Sequence, residues 1–303
     1  MHAIEKQKPI LNSIFEVVIG QDNANFWLRK VNPLWSVQQA LGKVVQKEQA
    51  AEDTVSLKIQ INRHFKMGQA GQHHPVIIEI QGRRYERTYS LTQLDRQHVL
   101  LTAKKVENGI VSQWLSNHVK VGDILEFGQP YGDMLLPKEI TPLLLLAAGS
   151  GITPMYSLIK ALEKNKQIEQ QPVHLKYWVK KHADVAFKQQ FEQLSERYSN
   201  FKFDVFYTQE VPADARLNVE HIQSMQNLQQ STVYVCGPSG FVNTAESLFQ
   251  NVQNFKSEAF SLTPVISDET GFINVTLTKS NKVVAIPKGQ SILVGLEQQN
   301  IKS

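Results

Sequence analysis

Three short segments hold the residues of this chain whose types and spacing suit chemistry: Arg87-Thr88-Tyr89-Ser90, Gly149-Ser150-Gly151-Ile152-Thr153-Pro154 and Cys236-Gly237-Pro238. The first offers a cation for phosphate, an aromatic face for a ring system, and a hydroxyl for a nitrogen of that ring. The second is a glycine turn between an apolar run and a helical pattern, where backbone N–H groups and the helix dipole favour a pyrophosphate. The third sets a small, soft thiol on a tight turn after another apolar run. Each segment alone recurs by chance in many proteins. Their order and separation carry the signal.

Composition bounds the rest. A chain of 303 residues has room for two globular domains and something extra. Its net charge of +4, from 32 basic and 28 acidic residues, is too balanced for a nucleic-acid binder, which would cluster Lys and Arg. One cysteine, Cys236, excludes an internal disulfide framework and a four-thiolate metal site, and suits a reducing cytoplasm. The longest apolar run, Leu143 to Ala148, falls far short of the ~20 residues that cross a bilayer. The first residues show no basic stretch followed by an apolar core, so no secretory signal is expected.

The elements that must position these residues follow from hydrophobic periodicity. Residues 1–43 read as an extension whose apolar positions, among them Phe26, Trp27, Leu28, Leu34 and Trp35, have helical spacing in places. Either a helix packs over the adjoining domain, or an aromatic-bearing face meets a membrane surface. Residues 44–138 carry short alternating runs punctuated by glycine, the pattern of a small antiparallel barrel, with one helix near Val111 to His118. Residues 139–262 alternate apolar strands with helices, which predicts a doubly wound parallel α/β domain whose ligand lies beyond the carboxyl ends of the strands. Gly149 and Cys236 both sit at such ends. Residues 263–303 are expected to be a linker followed by a hairpin, Ile273 to Thr278 against Val283 to Ile286, and a helix from about Ser291.

Within this frame, alternation puts Arg87 and Tyr89 on one side of their strand. Gly109-Ile110-Val111-Ser112 opens the barrel's helix, where Ser112 and free N–H groups suit a phosphate oxygen, although a plain helix cap has the same sequence. Pro154 stands where a third fingerprint glycine would be, and proline suits a first helical turn. After Val179 come Lys180, Lys181 and His182. Cations at the end of a second strand favour a 2′-phosphate, so the reading leans to NADPH, with solvated lysines as the alternative.

Taken together, the motifs resemble the ferredoxin–NADP reductase superfamily over roughly residues 45 to 262. The resemblance implies that Arg87 meets the flavin phosphate, Tyr89 packs on the isoalloxazine and Ser90 bonds near N5. It implies FAD, since relatives holding the dinucleotide carry a similar Gly-x-x-Ser at Gly109 to Ser112. It implies a pyrophosphate turn at Gly149 to Pro154, and a thiol near the nicotinamide at Cys236-Gly237-Pro238. Lys180 stands where many relatives carry Arg, which leaves NADH open. Glu258-Ala259-Phe260 resembles the Glu-x-Phe that returns to the flavin, where Glu258 passes a proton and Phe260 covers the ring; a linker with one buried Phe is the alternative.

The tail, Phe272 to Ser303, resembles the first half of a plant-type [2Fe–2S] ferredoxin domain of β-grasp type, including the Gly289-Gln290-Ser291-Ile292-Leu293 turn. It lacks every cluster cysteine. The expectation is a natural chain that continues, with a [2Fe–2S] cluster only in that case and a docked remnant as the alternative. The segment Phe26 to Trp35 and the tail together look like bacterial reductases that feed membrane-bound fatty-acyl desaturases or related oxygenases. The expected function is hydride transfer from NAD(P)H to FAD, with single electrons passed to an iron–sulfur acceptor. The expected location is the cytoplasm, with peripheral association at the inner membrane face. The alternatives are a flavin or flavodoxin reductase, and a nucleotide-binding redox sensor without turnover.

Overall fold

The computed structural model describes residues 21–211, 216–223, 228–261, 271–278, 280, 282–288, 292–299 and 301. The first 20 residues of the extension, the Gly289-Gln290-Ser291 turn and residues 224–227 lie outside them.

Six strands close a barrel: β1 (Leu41–Ala51), β2 (Thr54–Ile61), β3 (His73–Ile80), β4 (Arg83–Gln93), β5 (His98–Lys104) and β6 (Ile124–Phe127), in the order β1-β2-β5-β4-β3-β6. Every pairing is antiparallel. Period-2 alternation fills the interior: Val55, Leu57 and Ile59 from β2 meet Val99 and Leu101 from β5, and Val76 and Ile78 from β3. Before the barrel runs α1 (Gln21–Val31), which buries Ala24 and Asn25 and leaves Phe26, Trp27 and Val31 exposed. Asn25 Oδ1 accepts from the Val37 amide at 2.8 Å and ties the helix down. The barrel's own helix, α2 (Ile110–Asn117), buries Val111 and Leu115, one turn apart on one face.

The second half is a five-stranded sheet: β7 (Leu143–Ala148), β8 (Val173–Val179), β9 (Phe201–Tyr207), β10 (Thr232–Pro238) and β11 (Asn254–Ser261), in the order β11-β10-β7-β8-β9. β10, β7, β8 and β9 are parallel. Among the described residues four α-helices accompany it: α3 (Ile152–Lys164), α4 (Lys188–Arg197), α5 (Glu220–Gln223) and α6 (Ser239–Leu248). The unbroken apolar run of β7 has a reason, since helices cover both faces. Leu143, Leu145 and Ala147 pack toward α3 and α4, while Leu144, Leu146 and Ala148 pack toward α6. From β7 the chain steps to β8 and β9 on one side, then returns to β10 and β11 on the other. The crevice beyond the carboxyl ends of β7 and β10 is therefore the topological switch point.

Barrel and sheet pack as one body. Ser157 Oγ donates to the Leu91 carbonyl at 3.0 Å, and Tyr234 Oη to the Leu135 carbonyl at 2.6 Å. Residues 261–303 form a separate unit, in which β12 (Phe272–Leu277) pairs antiparallel with β13 (Lys282–Pro287) and α7 (Ile292–Gln298) follows. Hairpin and helix stand where the pattern put them. These elements alone do not make a β-grasp ferredoxin domain.

Candidate functional site

The switch point is built by two loops in contact. β7 ends at Ala148 and turns through Gly149–Gly151 into α3, and β10 ends in Cys236-Gly237-Pro238 and leads into α6. A Cβ on Gly151 would lie 2.0 Å from the Cys236 carbonyl oxygen, so only glycine lets these backbones touch. Gly149 is the opposite case. Its φ of +56° is left-handed, and a Cβ there would meet nothing within 4 Å. That open space at a helix N-terminus is a cradle for a phosphate group. Tyr177 Oη fixes the turn by donating to the Gly149 carbonyl at 3.1 Å, Thr153 Oγ1 donates to the Ser150 carbonyl at 3.1 Å, and Pro154 occupies the first turn of α3.

On β4 the four predicted residues become progressively more buried along the strand. Arg87 and Thr88 are exposed, Tyr89 is half-buried and Ser90 is buried. Burial pushes the Tyr89 phenol up to about 12, so at neutral pH it is an uncharged aromatic. Arg87 donates to the Glu86 carbonyl at 2.7 Å and forms no ion pair among the described residues. Ser90 Oγ is buried without a hydrogen-bond partner.

Cys236 is fully buried, and burial, helped by the nearby Glu258 charge, pushes its thiol well up, so it is a thiol and not a thiolate. Glu258, on β11, places Oε1 2.8 Å from His73 Nδ1, within ion-pair reach but without hydrogen-bond geometry, so that both His73 Nδ1 and Glu258 Oε2 are buried with no hydrogen-bond partner. His73 faces Ser90 across the β3–β4 pairing. Glu258 thus lies against His73 and near enough to Cys236 for its charge to be felt, while Ser90 stands opposite His73 on the neighbouring strand. Buried polar atoms of native proteins are nearly always paired, so orphans at Ser90 and Glu258 fit a ligand that supplies the missing bonds. A flavin ring edge, with nitrogens and carbonyls, has that chemistry.

The outlying predicted residues fall in three places. Gly109 to Ser112 form the start of α2, where Ser112 Oγ accepts from the Val106 amide at 3.1 Å and donates to the Gly109 carbonyl at 3.2 Å. That hydroxyl shapes the turn, which leaves the first-turn amides for a phosphate. Lys180 and Lys181 are exposed after β8 with no ion pair among the described residues, beside a cluster that sequence reading missed. In it the His182 ring stacks on Tyr207 at 3.6 Å and pairs with Glu210, which this contact holds below the usual carboxylate range. Phe260 is 41% exposed, so it is not the buried linker residue of the alternative reading.

His73 was missed because a histidine at a strand start carries no periodic signal. Its partner in the turn, Tyr131, packs edge-on at 4.2 Å and shares a 3.0 Å hydrogen bond with Thr88 Oγ1.

Residues 41–135 match the oxidoreductase FAD-binding domain family and residues 145–247 the oxidoreductase NAD-binding domain family. An NADPH oxidoreductase of Mycobacterium tuberculosis is 30% identical over 278 residues, covering 88% of this chain and 72% of its own length. The chain belongs to the ferredoxin–NADP reductase superfamily. It is an NAD(P)H-dependent FAD oxidoreductase. The 2-halobenzoate 1,2-dioxygenase electron transfer component of Burkholderia cepacia is 24% identical, covering 73% of this chain and 68% of that protein. The solved structure of phthalate dioxygenase reductase shares the fold, with a TM-score of 0.64 at 24% identity over 87% of this chain and 81% of that one. The chain spans about half the length of the flavohemoproteins it also matches.

Proposed function

We propose that this reductase takes electrons from NADPH and delivers them singly to an iron–sulfur acceptor serving an oxygenase or a membrane fatty-acyl desaturase. The observation that supports the reading is Glu258 lying near Cys236 and against His73, the β3 neighbour of Ser90, where the barrel meets the switch point of the sheet. When bound, FAD supplies the exchange between a two-electron hydride and single electrons. The residues do the rest. Arg87 and the amides of Ile110, Val111 and Ser112 hold the two phosphates of FAD, with Gly109, whose own amide donates to the Val106 carbonyl, setting the turn, and Thr88 and Tyr89 line its ring. The turn from Gly149 through Ser150, Gly151, Ile152 and Thr153 to Pro154 cradles the nucleotide pyrophosphate, with Gly237 and Pro238 on the facing loop. The neutral Cys236 thiol packs beside the nicotinamide without adding charge. Phe260 covers the ring from β11, and Glu258 moves the proton.

Two relatives named for dioxygenase electron transfer support an oxygenase-type acceptor. A plant-type cluster needs four thiolates and this sequence has one cysteine, so the [2Fe–2S] centre that receives the electrons lies outside these 303 residues. Exposed Phe26, Trp27 and Trp35, with Arg29 and Lys30, support peripheral docking at the inner, cytoplasmic face of a membrane. Among the described residues no helix is long and apolar enough to cross one.

Anaerobic absorbance spectroscopy tests the reading. NADPH bleaches the flavin, and a plant-type ferredoxin or ferricyanide restores its colour, whereas preferential transfer to free FMN would make the protein a flavin reductase. Lys180→Glu with Lys181→Glu raises KM for NADPH far more than for NADH. Equal effects on both would remove the NADPH preference.

A further inference from the structure

We propose that His73 is a positioning residue that aims the Glu258 carboxylate at the flavin edge, where Glu258 takes up the proton left behind as electrons depart. The proposal rests on the reading of Glu258 given above. A hydride is two electrons and one proton. Once both electrons have gone singly to an acceptor, one proton remains in the site, and a base must carry it to solvent.

Glu258 needs an external support because β11 is the edge strand of its sheet. Two residues earlier on that strand, Lys256 is committed to the barrel side, donating to the Asp133 carbonyl at 2.9 Å and the Leu135 carbonyl at 3.1 Å. Among the described residues the Glu258 carboxylate meets His73 alone, Oε1 lying 2.8 Å from Nδ1 in an ion-pair contact without hydrogen-bond geometry and Oε2 unpartnered. His73 is a rigid support. Its backbone exchanges two 3.0 Å hydrogen bonds with Tyr131, its ring lies against the Tyr131 edge, and a Cβ on Gly132 would stand 3.0 Å from it. Gly132 has φ +111°, so the close approach is built into the turn.

The other groups around the pair cannot do this work. Burial holds the neighbouring His74 down at about 4, so it is neutral and adds no competing cation. Cys236 is kept protonated, and Tyr131 is committed to Thr88. Glu258 is left as the base and His73 as what holds it.

The test uses FAD-loaded protein reduced by NADPH, with the reductive step and the oxidative step to ferricyanide followed separately by stopped flow. Relative to wild type, Glu258→Gln slows the oxidative step roughly a hundredfold, His73→Phe roughly tenfold, and His73→Gln, which keeps a donor, less than about threefold. The double variant His73→Phe with Glu258→Gln is no slower than Glu258→Gln, because His73 acts through Glu258. In flavin-free protein, the Cys236 amide resonance moves alike in His73→Phe and Glu258→Gln and stays in place in His73→Gln. Multiplying rate effects in the double variant, an unchanged oxidative rate in His73→Phe, or losses that follow flavin content in both steps would overturn the proposal. An unchanged rate in Glu258→Gln would instead overturn the reading of Glu258 itself.

Discussion

Arg87 is an exposed guanidinium that spends one donor on its neighbour's carbonyl and meets no carboxylate among the described residues. A cation kept unanswered beside an aromatic that burial holds neutral is an arrangement for an anionic, flat ligand. Arg87→Ala is therefore expected to weaken FAD binding by roughly 1.5–3 kcal/mol, about ten- to a hundredfold in Kd. Titration of flavin-free protein by fluorescence quenching checks it, and an unchanged Kd would remove Arg87 from the phosphate site. Ser90 and Cys236 work differently. Both are buried, and their value lies in adding polarity and shape to the ring edge without charge.

At the scale of elements, the glycines of one turn do opposite jobs. Gly151→Ala drives a methyl into the Cys236 carbonyl and must part the ends of β7 and β10, a cost of about 1–3 kcal/mol or more, read from urea unfolding. Gly149→Ala costs about 1–2 kcal/mol for its left-handed backbone, yet clashes with nothing. Its methyl instead fills the phosphate cradle and raises KM for NADPH; an unchanged KM would place the nucleotide elsewhere. On β3, His74 is buried against Phe65 and its folded value is lowered from 6.5 to about 4, mainly by burial. Below 6.5 the unfolded chain binds a proton that the folded chain refuses, so stability is full above 6.5 and falls as pH drops toward 4. The loss is on the order of 3 kcal/mol. His74→Phe flattens this stretch of the stability curve, measured by urea unfolding at pH 7 and pH 4; an identical slope in both proteins would refute the assignment.

Legibility in the sequence followed from how each element is stabilised. β7 and β10 were readable because both faces are buried, and the β2 and β5 runs because one face is. β1 carries no strand pattern of its own, since Lys43 to Gln49 is mostly polar and its conformation comes from pairing with β2 and β6. β11, at the end of the nucleotide domain, likewise shows no strand signal until β10 supplies its partner. The glycine turn, the β4 motif and the thiol were visible as residue types. His73 and the His182–Tyr207–Glu210 cluster were not, because they exist only once strands distant in sequence are side by side.

For the whole molecule, hydride transfer requires that a site on the barrel and a site on the sheet keep one fixed distance. The structure meets this by letting the two halves share a core: Leu100 of β5, Ala51 of β1 and the Ala70 and Leu136 loops pack against the cluster that contains Leu145, Met155 and Tyr177. The buried Ser157–Leu91 hydrogen bond and the Tyr234–Leu135 hydrogen bond cross the same seam. Domains joined by so apolar a seam lose stability together, because exposing it in either half strips the other of buried surface. Barrel and sheet are thus expected to unfold in one transition. Hydrogen exchange followed against urea checks this, with peptides covering Val55 to Ile61 and Leu143 to Ala148 opening at the same free energy. Two separated transitions would mean that the seam is a docking contact. The orientation of FAD and nicotinamide would then be set by the bound nucleotides themselves and not by the fold.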